Sequence, residues 1–255
     1  MSKRNTQQRR HTIITLLNEQ GEVTVDELAR RFDTSEVTIR KDLTALEKNG
    51  LLLRRYGGAV PVPSEMVAEG SAEPVSKRKR ALARAAAALI RDHNRIIIDS
   101  GSTTAALLGE LGHKHGLVVM TNSLAIANAV RELEPEPTLL MTGGTWDPSS
   151  ESFQGQVAEQ VLRSYDFDRL FIGADGIDLA RGTTTFNELT GLSRVMAEVA
   201  REVVVMVESD KIGRKIPNLE LPWSRIHTLV TDSGISEADQ QQLQQKGITL
   251  VMAPE

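Results

Sequence analysis

Two sets of residues in this 255-residue chain have the types and spacing to do chemistry. The first lies in the run SEVTIRKDLTALEKNG. Placed at helical intervals, Val37, Lys41 and Thr44 share one face, flanked by Thr38 and Arg40, while Ile39, Leu43 and Leu46 recur at i, i+4 and i+7 on the other. A helix packed on its apolar side that presents methyls, hydroxyls and cations outward is suited to enter the major groove of duplex DNA. The second set is the loop in IIIDSGSTTAALL. A buried apolar run ends at Asp99, followed by Ser100, Gly101, Ser102, Thr103 and Thr104, where a helix is expected to begin. Glycine lets the backbone approach a ligand, the hydroxyls donate, and a helix start directs N–H groups outward, so this pattern is suited to a phosphate. An ordinary capped βα loop has the same look, and that alternative stays open. The sequence lacks GxxxxGK[ST] and GxGxxG, so neither nucleotide motif accounts for it.

Further polar segments fall where apolar runs end, the positions from which an α/β sheet binds ligands. They are Thr121 and Asn122 with Ser123, Gly143 and Gly144 in TGGTW, and Glu151 to Gly155. Asp175 and Asp178 in ADGID and Glu188 in TTFNE add carboxylates able to accept from sugar hydroxyls, or to act as structural caps. Lys211, Arg214 and Lys215 follow the run EVVVMVE, and one of them is a candidate to neutralise a phosphate. For any single one of these cations a solvated loop charge is the simpler reading. His113 and His115 have no evident third ligand and are read as surface residues, so neither a metal nor a cofactor is expected.

These residues need positioning. Ahead of the basic helix, Val25, Leu28, Ala29 and Phe32 define a short amphipathic helix, and Asp33, Thr34 and Ser35 are candidate caps for the next. Residues 7–18 carry Ile13, Ile14, Leu16 and Leu17 as a first helix stopped by Gly21. After Asn49-Gly50, the segment LLLRRYGGAV reads as a small β-hairpin whose Arg54, Arg55 and Tyr56 can reach the sugar-phosphate backbone. Residues 1–60 hold eleven Lys/Arg and eight Asp/Glu, a charge of +3 in a chain of −4, which leaves −7 on the remainder. A basic head on an acidic body fits nucleic-acid binding by the head.

The expected organisation is a DNA-binding head over 1–60, a proline-bearing linker over 61–75 and an α/β domain over 76–255. KRKRALARAAAALIRD is read as a helix whose Lys77 to Arg80 cluster is solvated, in preference to a second DNA contact. RIIID, LVVMT, TLLMT, RLFIGAD, EVVVMVE, HTLVTD and ITLVM then alternate with helical segments near 103–112, 123–133, 156–164 and 189–200 and in SEADQQQLQQKG. Apolar runs of this length, separated by helices, imply a mostly parallel sheet buried on both faces.

Composition bounds the rest. With no cysteine there is no disulfide framework and no thiolate metal site, which suits a reducing cytoplasm. The polar, basic start MSKRNTQQRRH lacks a signal-peptide pattern, and no apolar run approaches the ~20 residues that span a bilayer, so no membrane partner is expected. Aromatics at 4% make single-strand binding by base stacking improbable.

Taken together, EVTIRKDLTALEKNG, RRYGGAV, DSGSTT, MTNSL, GADGID and SDKIGRK resemble the DeoR family of bacterial transcriptional regulators over essentially the whole chain. The resemblance implies a winged helix-turn-helix head bound to double-stranded operator DNA. It also implies a Rossmann-like, ribose-5-phosphate isomerase-like body that senses a phosphorylated sugar or sugar alcohol, in a protein that represses transcription as a homo-oligomer. In that comparison DSGSTT matches the phosphate loop, and ADGID and the glutamate of FNE match the isomerase carboxylates. Where many members carry an Asp-Ser-Ser-Lys-Phe-Gly-like segment, this chain has Glu208 to Gly213. The isomerases' glycine-rich lysine segment is replaced by LARGTTTFNE. The competing reading, a sugar-phosphate isomerase with a basic appendage, would use Asp175, Asp178 and Glu188 as acid–base groups, and the missing lysine counts against it.

Overall fold

The computed structural model describes residues 3–48, 51–55, 57–61, 75–148, 150–187, 189–214 and 216–254. Tyr56, Glu188, Lys215, Asn49-Gly50 and residues 62–74 of the expected linker lie outside the described residues. The chain divides into two compact units, residues 1–73 and 74–255.

The first unit is built from α1 (Lys3–Gln20), β1 (Val23–Thr24), α2 (Val25–Arg31), α3 (Glu36–Lys48), β2 (Leu53–Arg55) and β3 (Gly58–Val60). Helix α1 begins four residues earlier than its apolar positions predict. Thr24 caps α2 in a reciprocal box with Glu27. Of the three candidate caps for α3, Ser35 takes the role, its hydroxyl accepting from the Thr38 N–H at 3.3 Å, while Asp33 has a φ of 46° in the turn before it. Ile13, Leu17, Leu28, Ile39, Leu43 and Leu52 form one fully enclosed core. Strands β2 and β3 make an antiparallel hairpin, and β1 adds to β3. The unit is therefore a three-helix fold with a wing.

In the second unit, α4 (Lys77–Ala87) precedes β4 (Arg95–Ile98), α5 (Ser102–Ala105), β5 (Val118–Thr121), α6 (Leu124–Arg131) and β6 (Thr138–Met141). A hairpin of β7 (Thr145–Asp147) and β8 (Ser152–Gln154) leads into α7 (Gln156–Leu162) and β9 (Phe167–Ile172). Then come β10 (Gly176–Asp178), β11 (Gly182–Thr185), α8 (Gly191–Val199), β12 (Ala200–Met206) and β13 (Asn218–Pro222). The unit closes with β14 (Thr228–Thr231), α9 (Glu237–Gln245) and β15 (Thr249–Met252). The seven expected apolar runs form a single parallel sheet in the order β15-β14-β12-β9-β4-β5-β6. Alternation along β4 sends Ile96 and Ile98 into a core with α4 and α6, and Ile97 into a core with α7, α8 and α9. The domain is a three-layer α/β fold.

Two features differ from the sequence reading. The segment near 103–112 is one α-helical turn, α5, continued as a 3-10 helix over Ala106–Glu110. The connections after β6, β9 and β12 contain strands of their own: the β7–β8 hairpin after β6, and a small antiparallel sheet of β10 and β11, after β9, with β13, after β12.

Candidate functional site

In the head, α3 turns its apolar side into the core and leaves Val37 59% exposed, with Arg40 and Lys41 also exposed. The side chains are partly pre-engaged. Arg40 pairs with Glu36 at 2.6 Å. The Thr44 hydroxyl donates to the Arg40 carbonyl at 2.8 Å and accepts from the Arg54 guanidinium at 3.0 Å. Arg55 pairs with Glu22 at 2.6 Å. The two wing arginines are thus held by the head itself, and Ser35 and Thr38 share a 2.9 Å hydrogen bond at the helix start. Helix α3 is fixed to α1 by Asp42, which is 2% exposed and takes Arg9 at 2.6 Å and Arg10 at 2.7 Å. A buried carboxylate shared by two guanidiniums sets the relation of the two helices more rigidly than apolar packing alone.

In the body, the strand order supplies a physical reason for the site's location. Chain order runs outward from β4 through β5 to β6 on one side, then returns to β9 on the other side of β4. The connections after β4 and β9 therefore leave the sheet in opposite senses, and a crevice opens between their carboxyl ends, where open α/β sheets bind ligands. Asp99 to Thr104 follow β4, and Ala174 to Asp178 follow β9.

The loop after β4 is built from side-chain contacts. Asn122, buried at the end of β5, donates to the Asp99 carboxylate at 2.8 Å and accepts from the Ser100 N–H at 3.0 Å. Burial pushes the Asp99 carboxyl up to about 6. The Thr104 hydroxyl is directed at the carbonyls of Asp99 and Gly101, 2.8 Å from each, so it closes the loop on itself. Gly101 has φ 129° and ψ 153°, a conformation that residues with a Cβ rarely adopt. Ser102 receives the Lys79 ammonium, its Oγ 2.7 Å from Nζ. With only one α-helical turn behind it, the loop owes less to a helix dipole than the sequence implies. Its positive charge comes from Lys79.

The other expected residues separate into groups. The Thr121 hydroxyl is buried and accepts from the Ser123 N–H. Gly144, with φ 108°, lies where a Cβ would be 2.5 Å from the Gln154 carbonyl and 3.1 Å from Ala158. It serves the close packing of the β7–β8 hairpin, whereas Gly143 opens onto free space. Asp175 accepts from the Thr185 hydroxyl at 2.7 Å and the Phe186 N–H at 3.1 Å. Asp178 departs from the effector-contact expectation. One oxygen takes the N–H groups of Ala180 and Arg181, and the other takes the Arg181 guanidinium at 2.7 Å. The Arg181 hydrogen bond, with those backbone donors, holds its carboxyl below the usual range. Asp178 therefore supports the β10–β11 turn. Lys211 is not a solvated loop charge: it is 8% exposed and donates to the Ala174 carbonyl at 3.2 Å.

Three residues absent from the sequence-based set belong to this region. Glu220, buried on β13, is bonded by Ser193 at 2.9 Å and Thr183 at 3.3 Å. Burial, with the charges of Asp99 and Asp175 nearby, raises its carboxyl to about 8. Lys79 reaches the loop after β4. Arg78 gathers the ends of β12 and β14, reaching Asp232 at 2.9 Å, Asp210 at 3.2 Å and Ser209 at 3.3 Å. The Lys77 to Arg80 cluster is accordingly not merely a solvated helix start. The KRKR run was a visible signal for these two cations, but nothing in it separates Arg78 and Lys79 from their neighbours. Glu220 alternates with leucines in NLELP, and the sequence does not say which side of that strand faces inward. His113 and His115 lie at the surface, and among the described residues no cluster of three or more metal-ligating side chains occurs. No described helix is long and apolar enough to cross a membrane.

A winged helix-turn-helix unit joined to an α/β unit with polar loops at its strand switch point defines a DNA-binding transcription regulator with a sensor domain. The chain belongs to the DeoR family: residues 9–65 match the DeoR-like helix-turn-helix domain and residues 75–233 the DeoR C terminal sensor domain. A relative from Escherichia coli O157:H7, named for repression of the aga operon, is 40% identical over 98% of this chain and 95% of its own length. The regulator GolR of Listeria innocua is 31% identical over 96% of this chain and 98% of its own. The regulator IolR of Bacillus subtilis is 28% identical over 85% and 87%. Among solved structures, ribose 5-phosphate isomerase A of Methanocaldococcus jannaschii overlaps 54% of this chain and 55% of its own at 21% identity and a TM-score of 0.40, too loose an overlap to add to the assignment. The protein is a transcriptional regulator and not an enzyme.

Proposed function

We propose that this protein represses an operon for use of a sugar or sugar alcohol, and that a phosphorylated form of that compound controls its hold on the operator. In this reading Val37, Thr38, Arg40, Lys41 and Thr44 meet the major groove, and Arg54 and Arg55 leave their partners in the head to contact phosphates. The effector's phosphate sits at Asp99 to Thr104, and its hydroxyls meet Asn122, Asp175 and the neighbouring loops. The observation that carries the reading is the loop Asp99–Thr104, clamped by Asn122 and supplied with a cation, at the switch point of the sheet. Hydroxyls and an ammonium in a glycine-bearing turn suit a phosphate far better than an apolar ligand. The segments FDTSEVTIRKDL, MTNSLAIANAV and TGGTWDPSSESFQGQ resemble glucitol operon repressors, so glucitol 6-phosphate is the first candidate. The repressor direction is also supported by the 40% identical relative's name. Two heads doubled by symmetry would read paired half-sites, so the working form is a homo-oligomer, a dimer or tetramer.

The test selects a DNA fragment from a random-sequence pool with the full-length protein, then titrates that complex with a panel of sugar phosphates, glucitol 6-phosphate and the corresponding unphosphorylated sugars. A change in affinity with one or more phosphorylated members and none with their free sugars is expected. Equal responses to free and phosphorylated forms would reject the phosphate-sensing reading.

A further inference from the structure

The amino edge of the sensor sheet carries a second set of cations, at the opposite ends of the strands from the loop Asp99–Thr104. Strand alternation puts Arg95 of β4 and Arg201 of β12 on the sheet face of Ile97 and Val203, the face that α7 covers. With Arg163 at the end of α7 and Asp168 of β9 they border an open cleft of about 360 Å³, a size that takes a small ligand. Arg95 is half-buried. Its guanidinium lies 5.9 Å from the ring centre of Tyr165 and 5.7 Å from that of Phe167, and its Nε donates to the Asp166 carbonyl at 2.9 Å. The rings and the carbonyl fix the direction of this fork, yet among the described residues no carboxylate lies within ion-pairing distance of it. One Asp168 oxygen instead accepts from the Arg95 backbone N–H at 2.8 Å and the Asn94 amide at 3.3 Å, and the other is 3.8 Å from Arg201. The Arg201 side chain is 80% exposed, and Arg163 stands 3.4 Å from Glu159 and 3.5 Å from Glu198. Ion pairs this long and exposed contribute little and exchange readily for a better acceptor.

We propose that this cleft is a second ligand site, separate from the loop Asp99–Thr104, and that it takes a small polyanion bearing two phosphate or carboxylate groups. A guanidinium fork matches either group in bidentate fashion. One already oriented by two aromatic rings loses little freedom on binding, so Arg95 receives the first anionic group. A second group is needed to draw Arg201 and Arg163 from their loose carboxylate partners. Asp166 limits the affinity: it lines the cleft, is exposed and forms no ion pair among the described residues, so its charge opposes an incoming anion. Strand β4 links the two sites, with Arg95 at its start and Asp99 just past its end, roughly 13 Å apart along extended chain. A ligand in the cleft therefore meets the strand that carries the effector loop without entering that loop.

The experiment titrates the full-length protein with inorganic pyrophosphate and with citrate at fixed ionic strength, read by calorimetry. The variants are Arg95→Met, Arg201→Gln, Asp166→Asn and, to report on the other end of β4, Gly101→Val. Thermal melts establish that each is folded, and Arg201→Gln, at an exposed position, carries the test if Arg95→Met does not fold. The expected result is that the wild type binds at least one probe and that Arg95→Met binds it more weakly, on the order of tenfold or more. Arg201→Gln should weaken binding by a smaller factor, and Asp166→Asn should strengthen it, since a like charge is removed. Gly101→Val should keep this binding event. Pyrophosphate binding alone assigns phosphate groups to the ligand, citrate binding alone assigns carboxylates, and either supports the site. The proposal is overturned if the wild type binds neither probe, if Arg201→Gln and every folded Arg95 variant bind like the wild type, or if Gly101→Val abolishes all binding.

Discussion

Replacing Glu220 by glutamine should flatten the dependence of stability on pH. The Glu220 carboxyl is raised from its ordinary 4.5 to about 8 by burial and by the charges of Asp99 and Asp175. A carboxyl with a higher pKa in the folded than in the unfolded chain holds its proton longer when folded. Stability associated with it is full below about 4.5 and is lost as pH rises toward and through about 8. At about 1.4 kcal/mol per pH unit across the middle of that window, less where either state is partly titrated, raising the pH from 5 to 8 should cost the wild type about 3.5 kcal/mol through this one group. Glutamine copies the neutral acid, keeps an acceptor for the Ser193 hydroxyl and supplies a donor toward Thr183, and has no proton to lose. Urea melts of wild type and Glu220→Gln at half-unit steps from pH 5 to 8 measure the difference directly. Asp99, whose carboxyl is also raised, to about 6, contributes a slope of the same sign at the lower end, and it does so in both proteins. Superimposable pH profiles for the two proteins would refute the reasoning and place Glu220 in a solvated or cation-paired setting.

Other outcomes follow from the same structure. Asp42→Ala should destabilise the head by about 3–5 kcal/mol, since it leaves the buried Arg9 uncompensated; a change below about 1 kcal/mol in denaturant melts would contradict a buried ion triad. Alanine at Arg40 and Lys41 should weaken operator binding, by about 1–3 kcal/mol for each side chain that reaches a base edge. A phosphate contact would instead lower the salt slope by about one, and gel shifts across a salt series separate the two outcomes from no effect. Incubation with ribose 5-phosphate or hexose 6-phosphates, followed by NMR, should yield no isomer, and turnover abolished by Glu188→Gln would reverse that expectation.

The fold was legible where burial writes a pattern. The seven apolar runs of the sheet and the i, i+4, i+7 repeat of α3 are direct traces of which faces exclude water. The first turn of α1 was missed because KRNTQQRR has no apolar member to set a period. The β7–β8 hairpin and strands β10, β11 and β13 were missed because runs such as TWD and GTTT are short and polar, with loop-like composition. For the site, small and hydroxyl residues after β4 marked the loop, but not what fills it with charge. Lys79 and Arg78 are separated from Lys77 and Arg80 by their directions from one helical turn, which only packing against the sheet decides. Lys211 reads in sequence either as a candidate phosphate cation or as a loop charge, and nothing in its neighbours signals the Ala174 carbonyl that takes its ammonium. Asp178 had the right neighbours in sequence for a ligand group, yet Arg181, three residues on, takes its carboxylate.

The central claim is that an anion held at Asp99–Thr104 controls the hold of α3 on DNA. The most direct measurement is operator affinity of wild type and Gly101→Val at fixed salt, with and without the sugar phosphate to which the wild type responds. A valine at φ 129° strains the loop by about 1–3 kcal/mol and puts a branched side chain where the backbone must approach the ligand. The account predicts equal operator affinity for the two proteins without ligand, and a response in the wild type alone. A Gly101→Val protein that folds, binds operator and responds to the sugar phosphate like the wild type would contradict it.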